Sequence, residues 1–472
     1  MSVSPAIRLD RRSNVPLQRQ LFESVRRSIV DGVLKPGTRL PSSRDLAREL
    51  RVSRNCVINA FRYLAAQGLI VSRAGAGTVV ASLTPRVRVP PSTRTRRDRA
   101  GRIARTVINA SSGTPGPFRP GVPAIDLFPL KTWRSIVSRQ WRRPAPALLA
   151  YGDIGGYPPL REAIAAHLGA FRGMRCDPEQ ILVFHGAQQA LDLVARVLLE
   201  PGDAVCVEDP GYVTGRSAFA ATGARIVPVP LDEDGFNVAV ARQRVPTPRI
   251  VYVTPSHQYP MGVTMSLARR HELRAWCAAA GMWIVEDDYA SELRHDRSRE
   301  LPAIHALMRN DATIYVGTFS HALAPMLRIG YAVVPRDLIG AFRVVAAIAG
   351  GGPAMIEQAA LAEFIRDGHL ARHLRRLREA YAERQAALVS VLQTMDAIES
   401  IQGCDAGSHL VVRLRGIDET RVASAAAARG IETPLVSKYG HGTGLVLGYG
   451  STDVTAIREA AATLGKIIRQ RR

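Results

Sequence analysis

Between residues 180 and 334 the chain repeats one pattern, a short apolar run followed by a longer amphipathic stretch. The runs span 180–184, 204–207, 225–229, 249–253, 282–285, 313–316 and 330–334. Apolar residues at helical spacing fill many of the gaps, for example over 188–199 and 268–280. A short run that is apolar on both faces suits a strand covered by helices on both sides of its sheet. Strands alternating with helices in this way predict an α/β unit with a mostly parallel sheet. A long helical region, about 355–395, follows it, and the last 75 or so residues read as a small α+β unit.

The whole chain has 472 residues. At roughly 150 residues per domain, that allows about three folding units. Hydrophobic residues make up 46% and charged residues 22%, a globular balance. Cys56, Cys176, Cys206, Cys277 and Cys404 are odd in number and never form a C-x-x-C pair. That argues against a disulfide framework and a cysteine zinc site, and no metal is expected. The apolar stretch 344–356 is interrupted by Gly350, Gly351, Gly352 and Pro353 and is too short for a membrane span. With no secretory h-region either, a cytoplasmic protein is expected.

Charge separates the first quarter of the chain from the rest. The net charge is +22, and residues 1–105 hold 22 basic against 6 acidic residues. A basic module on a near-neutral body is what binding to a phosphate backbone requires. Within it, Leu17, Leu21, Val25 and Ile29 mark a first helix. The segment Leu40-Pro41-Ser42-Ser43-Arg44-Asp45 opens a second, with serine as its cap. Ser53 caps a third, whose buried stripe is expected to be Val57, Phe61 and Leu64. Two short strands around a Gly-rich tip come next. Three helices and a hairpin are the order of a winged helix-turn-helix. The third helix would offer Ser53, Arg54, Asn55 and Arg62 to base edges and phosphates, and the wing would carry Arg73.

The string LPSSRDLARELRVSRNCVINAFRYLAAQGLIVSRAGAGTVV resembles a GntR-type winged helix-turn-helix. That resemblance implies DNA contact by Arg44, Arg54, Asn55 and the wing around Gly75. The expected module is 11–82, followed over 83–122 by a basic linker rich in Pro, Ser and Arg. The body is expected over 123–472, with a large part at about 150–345 and a small part at about 346–472.

Ligands of α/β sheets bind in loops at the carboxyl ends of strands. Those loops hold His185-Gly186-Ala187-Gln188, Glu208-Asp209-Pro210-Gly211-Tyr212 and Pro255-Ser256-His257-Gln258-Tyr259-Pro260-Met261-Gly262. Further on stand Glu286-Asp287-Asp288-Tyr289, Gly317-Thr318-Phe319-Ser320-His321 and Arg328-Ile329-Gly330-Tyr331. In this order they resemble a fold-type I aminotransferase, a pyridoxal 5'-phosphate (PLP) family, over about 123–472. A GntR-type head on such a body resembles the MocR group of bacterial transcription regulators. The fold class implied is a mainly α winged helix-turn-helix, then a PLP-transferase-like α/β large domain and a smaller α+β C-terminal domain.

The resemblance implies a role for each matching residue. Asp287 would face the pyridine nitrogen, Tyr289 the ring hydroxyl, and Tyr212 would stack on the ring. Ala187, Gln188, Ser320 and Arg328 would hold the phosphate. Tyr151 would reach the phosphate of the partner subunit in a homodimer. Gln258 lies near the family's asparagine, with the alignment offset there. Taken singly, Arg328 could be a surface ion pair, Tyr212 a core residue and Asp287 a helix cap.

One family residue is absent. The string GTFSK carries the lysine that binds PLP covalently, and this chain reads GTFSH, with His321 in that position. An imidazole forms no stable imine with an aldehyde. The chain's lysines are Lys35, Lys131, Lys438 and Lys466, and none follows a strand of the large sheet. The run Gly444-Leu445-Val446-Leu447-Gly448-Tyr449 also lacks the arginine that often binds a substrate carboxylate, for which Arg375 or Arg413 could substitute. His321 is either a proton acceptor or a residue without chemistry. Three readings stay open. The first is a DNA-binding regulator whose body dimerises and senses a small effector, PLP or a PLP adduct held noncovalently. The second is an active PLP-dependent aminotransferase fused to a DNA-binding head. The third is a constitutive DNA-binding protein whose body serves only dimerisation.

Overall fold

Leu21, Val25 and Ile29 recur on one side of helix α1 (Leu17–Val30), and all three are buried in the head. A computed structural model describes residues 7, 9–11, 13, 15–73, 77–81, 116–142, 144–295, 301–307 and 312–471. It divides into two compact units, Met1–Asp98 and Arg99–Arg472. In the first, Ser42 accepts from the Asp45 amide and starts α2 (Ser43–Leu50). Arg51, in the left-handed conformation, ends it. Ser53 accepts from the Cys56 amide and starts α3 (Arg54–Ala66). Such caps each contribute about 1 kcal/mol. Strands β1 (Ile70–Arg73) and β2 (Gly77–Val80) form an antiparallel hairpin. The stripe of α3 is Val57, Ala60 and Leu64, and Phe61 is only half-buried, so the expected stripe is corrected by one position. A fully buried Leu or Val contributes roughly 1.5–3 kcal/mol, so these residues bind the three helices together.

The second unit is built on an eight-stranded sheet. Its strands are β3 (Ile181–Phe184), β4 (Ala204–Asp209), β5 (Arg225–Asp232), β6 (Gly235–Phe236), β7 (Ile250–Val253), β8 (Trp283–Asp288), β9 (Thr313–Thr318) and β10 (Gly330–Val333). Their order is β3-β10-β9-β8-β7-β4-β5-β6. The pairs from β9 through β5 are parallel, while β10 runs antiparallel to both its neighbours and β6 closes a hairpin on β5. The mostly parallel sheet expected from the sequence is therefore present, with its apolar runs buried under helices on both faces. The covering helices include α4 (Leu130–Arg142), α5 (Pro158–Arg172), α6 (Gly186–Leu198), α7 (Val213–Ala221), α8 (Leu267–Ala279) and α9 (Ile339–Ile348).

The long helical region is two helices, α10 (Met355–Arg366) and α11 (His369–Leu392). Gly368, at a φ of +74°, separates them, because a left-handed residue ends one helix before the next begins. The C-terminal part holds three antiparallel strands, β11 (Ile398–Gln402), β12 (His409–Leu414) and β13 (Leu445–Gly448), with helices α12 (Glu419–Ala427) and α13 (Val454–Gln470). The segment that enters the body is tied to this part. Phe118 bridges Gly448, the Ala124 amide donates to Tyr381 Oη at 2.9 Å, and Asp126 accepts from Arg384.

Candidate functional site

On the head, Arg44, Ser53, Arg54, Asn55 and Arg62 are all exposed along α2 and α3. Arg54 Nε donates to Ser43 Oγ at 3.4 Å, which links the two helices. The Ser53 hydroxyl is committed to capping α3. Gly75 lies outside the described residues, as does the side chain of Arg73. The described cations project from the helix that reads the major groove in a helix-turn-helix and from the helix before it.

In the body, the carboxyl ends of the strands enclose a cavity of about 270 Å³. It is lined by Ala187 and Gln188 after β3, Tyr212 after β4, Thr254 and Tyr259 after β7, and Asp287 and Tyr289 at the end of β8. Thr318, Ser320, His321 and Arg328, between β9 and β10, complete it, with Gly121 and Pro325 at its rim.

Three consecutive acids end β8, and the two-residue period of a strand separates them. Glu286 accepts from the amides of Ile304 and His305. Asp288 pairs with Arg172 Nε at 2.9 Å and accepts from Tyr315 Oη at 2.7 Å. Asp287 turns the other way, into the cavity. Its Oδ2 accepts from Tyr252 Oη at 2.7 Å, while Oδ1 is buried and has no partner. Burial pushes the Asp287 carboxyl up to about 7, the charges of Asp288 and Glu208 add to the rise, and the Tyr252 hydrogen bond opposes it. Gly215 makes the Tyr252 contact possible, since a Cβ there would lie 2.7 Å from the phenol oxygen.

At the other end of the cavity α6 begins at Gly186, with a φ of +79°. A Cβ on Gly330 would lie 2.8 Å from the Ala187 nitrogen, so only glycine lets β10 pass this helix end. The first-turn amides of a helix lack internal acceptors and attract anions. Ser320 Oγ lies 3.1 Å from Thr318 Oγ1, and Arg328, exposed and in the left-handed conformation, donates to the His185 carbonyl at 3.1 Å. Gln188 donates to the Thr214 carbonyl, and its Oε1 is buried without a partner.

Tyr289 and His321 form the wall between these ends, their rings edge-on at 5.2 Å. The Tyr289 hydroxyl is buried without a partner. Burial pushes the His321 imidazole down to about 4, so it is neutral near pH 7. Behind them stand His257 and His409, ring to ring at 5.1 Å. His409, on β12, brings the small C-terminal part up to the site and contacts the Pro260 carbonyl at 3.0 Å.

Several expected residues stand elsewhere. Gln258 does not line the cavity, a correction to its expected place. Its amide nitrogen is turned to Glu208 Oε2 and the Pro210 carbonyl, because the buried Glu208 carboxylate needs donors. Tyr151 is fully exposed and outside the cavity of its own chain. Arg375 is exposed on α11, and Arg413 lines a separate groove beside β5. None of the four lysines lines the cavity, although Lys438 lines a neighbouring one. Sequence reasoning missed Tyr252, Thr254, Tyr259, Thr318 and His409. Tyr259 stood within a loop already singled out, whereas nothing in β7 or β12 marks Tyr252 or His409 as neighbours of the site.

Comparison with known proteins adds to this geometry. Residues 127–431 match the family described as Aminotransferase class I and II, and residues 17–80 match Bacterial regulatory proteins, gntR family. The chain is 39% identical to a protein of Rhizobium meliloti named a probable rhizopine catabolism regulatory protein, MocR, over 97% of this chain and 94% of that one. It is 32% identical to the HTH-type pyridoxine biosynthesis transcriptional regulator PdxR of Corynebacterium glutamicum, over 95% of each. Among solved structures, kynurenine aminotransferase of Pyrococcus horikoshii matches 80% of this chain and 95% of its own, with a TM-score of 0.70 and 27% identity. The α-aminoadipate aminotransferase LysN of Thermus thermophilus, complexed with N-(5'-phosphopyridoxyl)-L-leucine, matches 79% of this chain and 95% of its own, with a TM-score of 0.69 and 27% identity. Among the described residues no helix is long and apolar enough to cross a membrane.

Proposed function

Because the chain belongs to the MocR-type HTH transcriptional regulators, which join a gntR-family head to an aminotransferase class I and II body, we propose that it is a ligand-responsive DNA switch whose body holds PLP without a covalent bond. In this reading residues 11–82 bind an operator, 83–122 link, and 123–472 dimerise and sense a small effector. Catalysis is lost because His321 stands where the covalent lysine belongs. The observation that carries the reading is the pair of buried, unpartnered polar atoms facing one cavity, Asp287 Oδ1 and the Tyr289 hydroxyl.

Their chemistry fits a phosphorylated pyridine. When bound, PLP supplies a protonated ring that draws electrons from a group attached to it. Asp287 offers Oδ1 to the ring nitrogen, and that positive charge would pull its carboxyl back down from about 7. Tyr289 offers its hydroxyl to the ring oxygen. Tyr212 stacks on one face. The start of α6, Ser320 and Arg328 hold the phosphate, and Tyr151 from a second copy would complete that cup. Leu149, Tyr151, Val344 and Ile348 are exposed, and the Arg343–Asp153 ion pair at 2.6 Å holds their two segments side by side, which supports a homodimer at this face. A neutral His321 can accept a hydrogen bond but cannot hold the aldehyde.

An absorbance titration with PLP, followed by borohydride reduction and peptide mapping, tests the reading. Saturable binding with no reducible link is expected, together with a change in DNA affinity when PLP is added. A borohydride-fixed link on a lysine would overturn the noncovalent mode and reopen the aminotransferase reading. Failure to bind PLP would overturn the sensor.

A further inference from the structure

The side of α1 that turns away from the head's core carries an ordered row of charges. Leu21, Val25 and Ile29 are buried, and on the opposite side stand Arg19, Glu23, Arg27 and Asp31, each four positions after the last. Residues at that spacing lie on one side of a helix. The row borders a groove of about 990 Å³, with Val15 and Val33 at its two ends. Glu23 pairs with Arg26 at 3.1 Å. Arg19, Arg27 and Asp31 make no ion pair among the described residues.

Two features say what meets this row. Its signs alternate from a positive start to a negative end, so it is its own complement when read backwards. A second copy laid antiparallel, with the two-fold axis level with Val25, sets Arg19 against the partner's Asp31 and Glu23 against the partner's Arg27, each pair formed twice. The end charges also oppose their own helix. Arg19 stands in the first turn of α1, at the positive end of its dipole, and Asp31 is the C-cap, at the negative end. In the antiparallel pair each of them lies beside the partner helix's opposite end, which attracts it. Val15 and Val33, 44% and 72% exposed, would meet at both ends of the contact. Ser24 and Ser28 line the groove and are small enough to let the two helices approach.

We propose that this face of α1 is a contact between two heads, and that its partner is the same face of a second copy. One helix face is smaller than the roughly 800 Å² per partner that a stable interface needs. The heads therefore pair only where something else holds them close, and the inference rests on the homodimer proposed above, which supplies that tether. Pairing holds the two α3 helices in a two-fold relation. An inverted repeat presents its half-sites in that relation, whereas a direct repeat requires the pair to part. The surface thus helps to set which operators the protein reads.

The test treats the full chain carrying Arg19→Lys with a water-soluble carbodiimide. Within one copy residues 19 and 31 stand about 18 Å apart along the helix, so a direct amide between them joins two copies. That link is expected by peptide mass. Glu23→Arg or Arg27→Glu, added singly, turns two attractive pairs into repulsive ones and should cut the yield of the link at least about five-fold. The two reversals together restore opposite signs and should restore the link. On DNA, an inverted repeat of a half-site selected from random sequences should keep the link, and a direct repeat should remove it. A dimer by sedimentation with no link between residues 19 and 31 overturns the head contact alone. So does a link that the single reversals leave unchanged, or one that a direct repeat leaves in place. A monomer overturns the homodimer reading and the head contact with it.

Discussion

Tyr252 donates its phenol hydrogen to Oδ2 of Asp287 and leaves Oδ1 of the same carboxylate buried and facing the cavity. One oxygen orients the group and the other is free to act. The flanking acids differ, because Glu286 and Asp288 are held by backbone amides, Arg172 and Tyr315. A carboxyl buried next to two other acids is poorly placed for a ligand-free protein and well placed for a cation. The arrangement sacrifices stability for binding, a common feature of functional sites.

The pH dependence of stability should show this. Burial raises both Asp287 and Glu208 to about 7, above the value of about 4 that carboxylates have in an unfolded chain. The folded protein therefore binds these protons more tightly. Their contribution is fully present below pH 4 and is lost as pH rises toward 7. Asp287→Asn keeps an acceptor for Tyr252 and removes one of the two groups. Without PLP, its melting temperature should exceed that of the unaltered protein by a margin that grows from pH 5 to about 7 and then levels off. A margin independent of pH would contradict the assignment.

Replacing His321 by lysine should place an amine at the cavity wall. The variant should take up PLP in a form that borohydride fixes on residue 321, seen by peptide mass. The unaltered protein should give no such peptide. A link elsewhere in the variant, with residue 321 unmodified, would show that His321 does not occupy the covalent position.

Arg54 opens α3 and is exposed. Residues at the start of a recognition helix contact base edges, and each good pair contributes about 1–3 kcal/mol of discrimination. Arg54→Ala should weaken binding to an operator selected from random sequences by at least about five-fold and relax its sequence preference. Arg62→Ala should weaken binding evenly across sequences and lower the salt slope by about 1. Equal loss on selected and random DNA for Arg54→Ala would remove it from base contact.

The exposed face around Leu149, Tyr151, Val344 and Ile348 is tested by Ile348→Asp. A charge there should shift sedimentation from dimer to monomer. PLP affinity should fall with it, because Tyr151 could no longer reach the second copy. A monomeric unaltered protein would refute the face as an interface.

Much of this molecule was legible one residue at a time. Capping serines at 42 and 53 act over three residues, so their place follows from local spacing. The parallel strands were visible because both of their faces are apolar. Gln258 was misjudged because its orientation depends on Glu208, fifty positions away in the chain, whose carboxylate takes the amide nitrogen at 3.1 Å. Tyr252 and His409 were missed for the same reason, as each meets the site across strands or from the C-terminal part.

The sequence by itself determined the order of the domains, the basic head, the alternation of strand and helix, and the histidine at position 321. These are matters of composition and local period, which the chain carries before it folds. Only the tertiary structure decided which oxygen of three neighbouring acids stands free, which ring backs His321, and that Tyr212 and Tyr259 come together in the lining of one cavity. Those facts depend on burial and on distances of a few ångströms between residues far apart in sequence, and packing alone sets them.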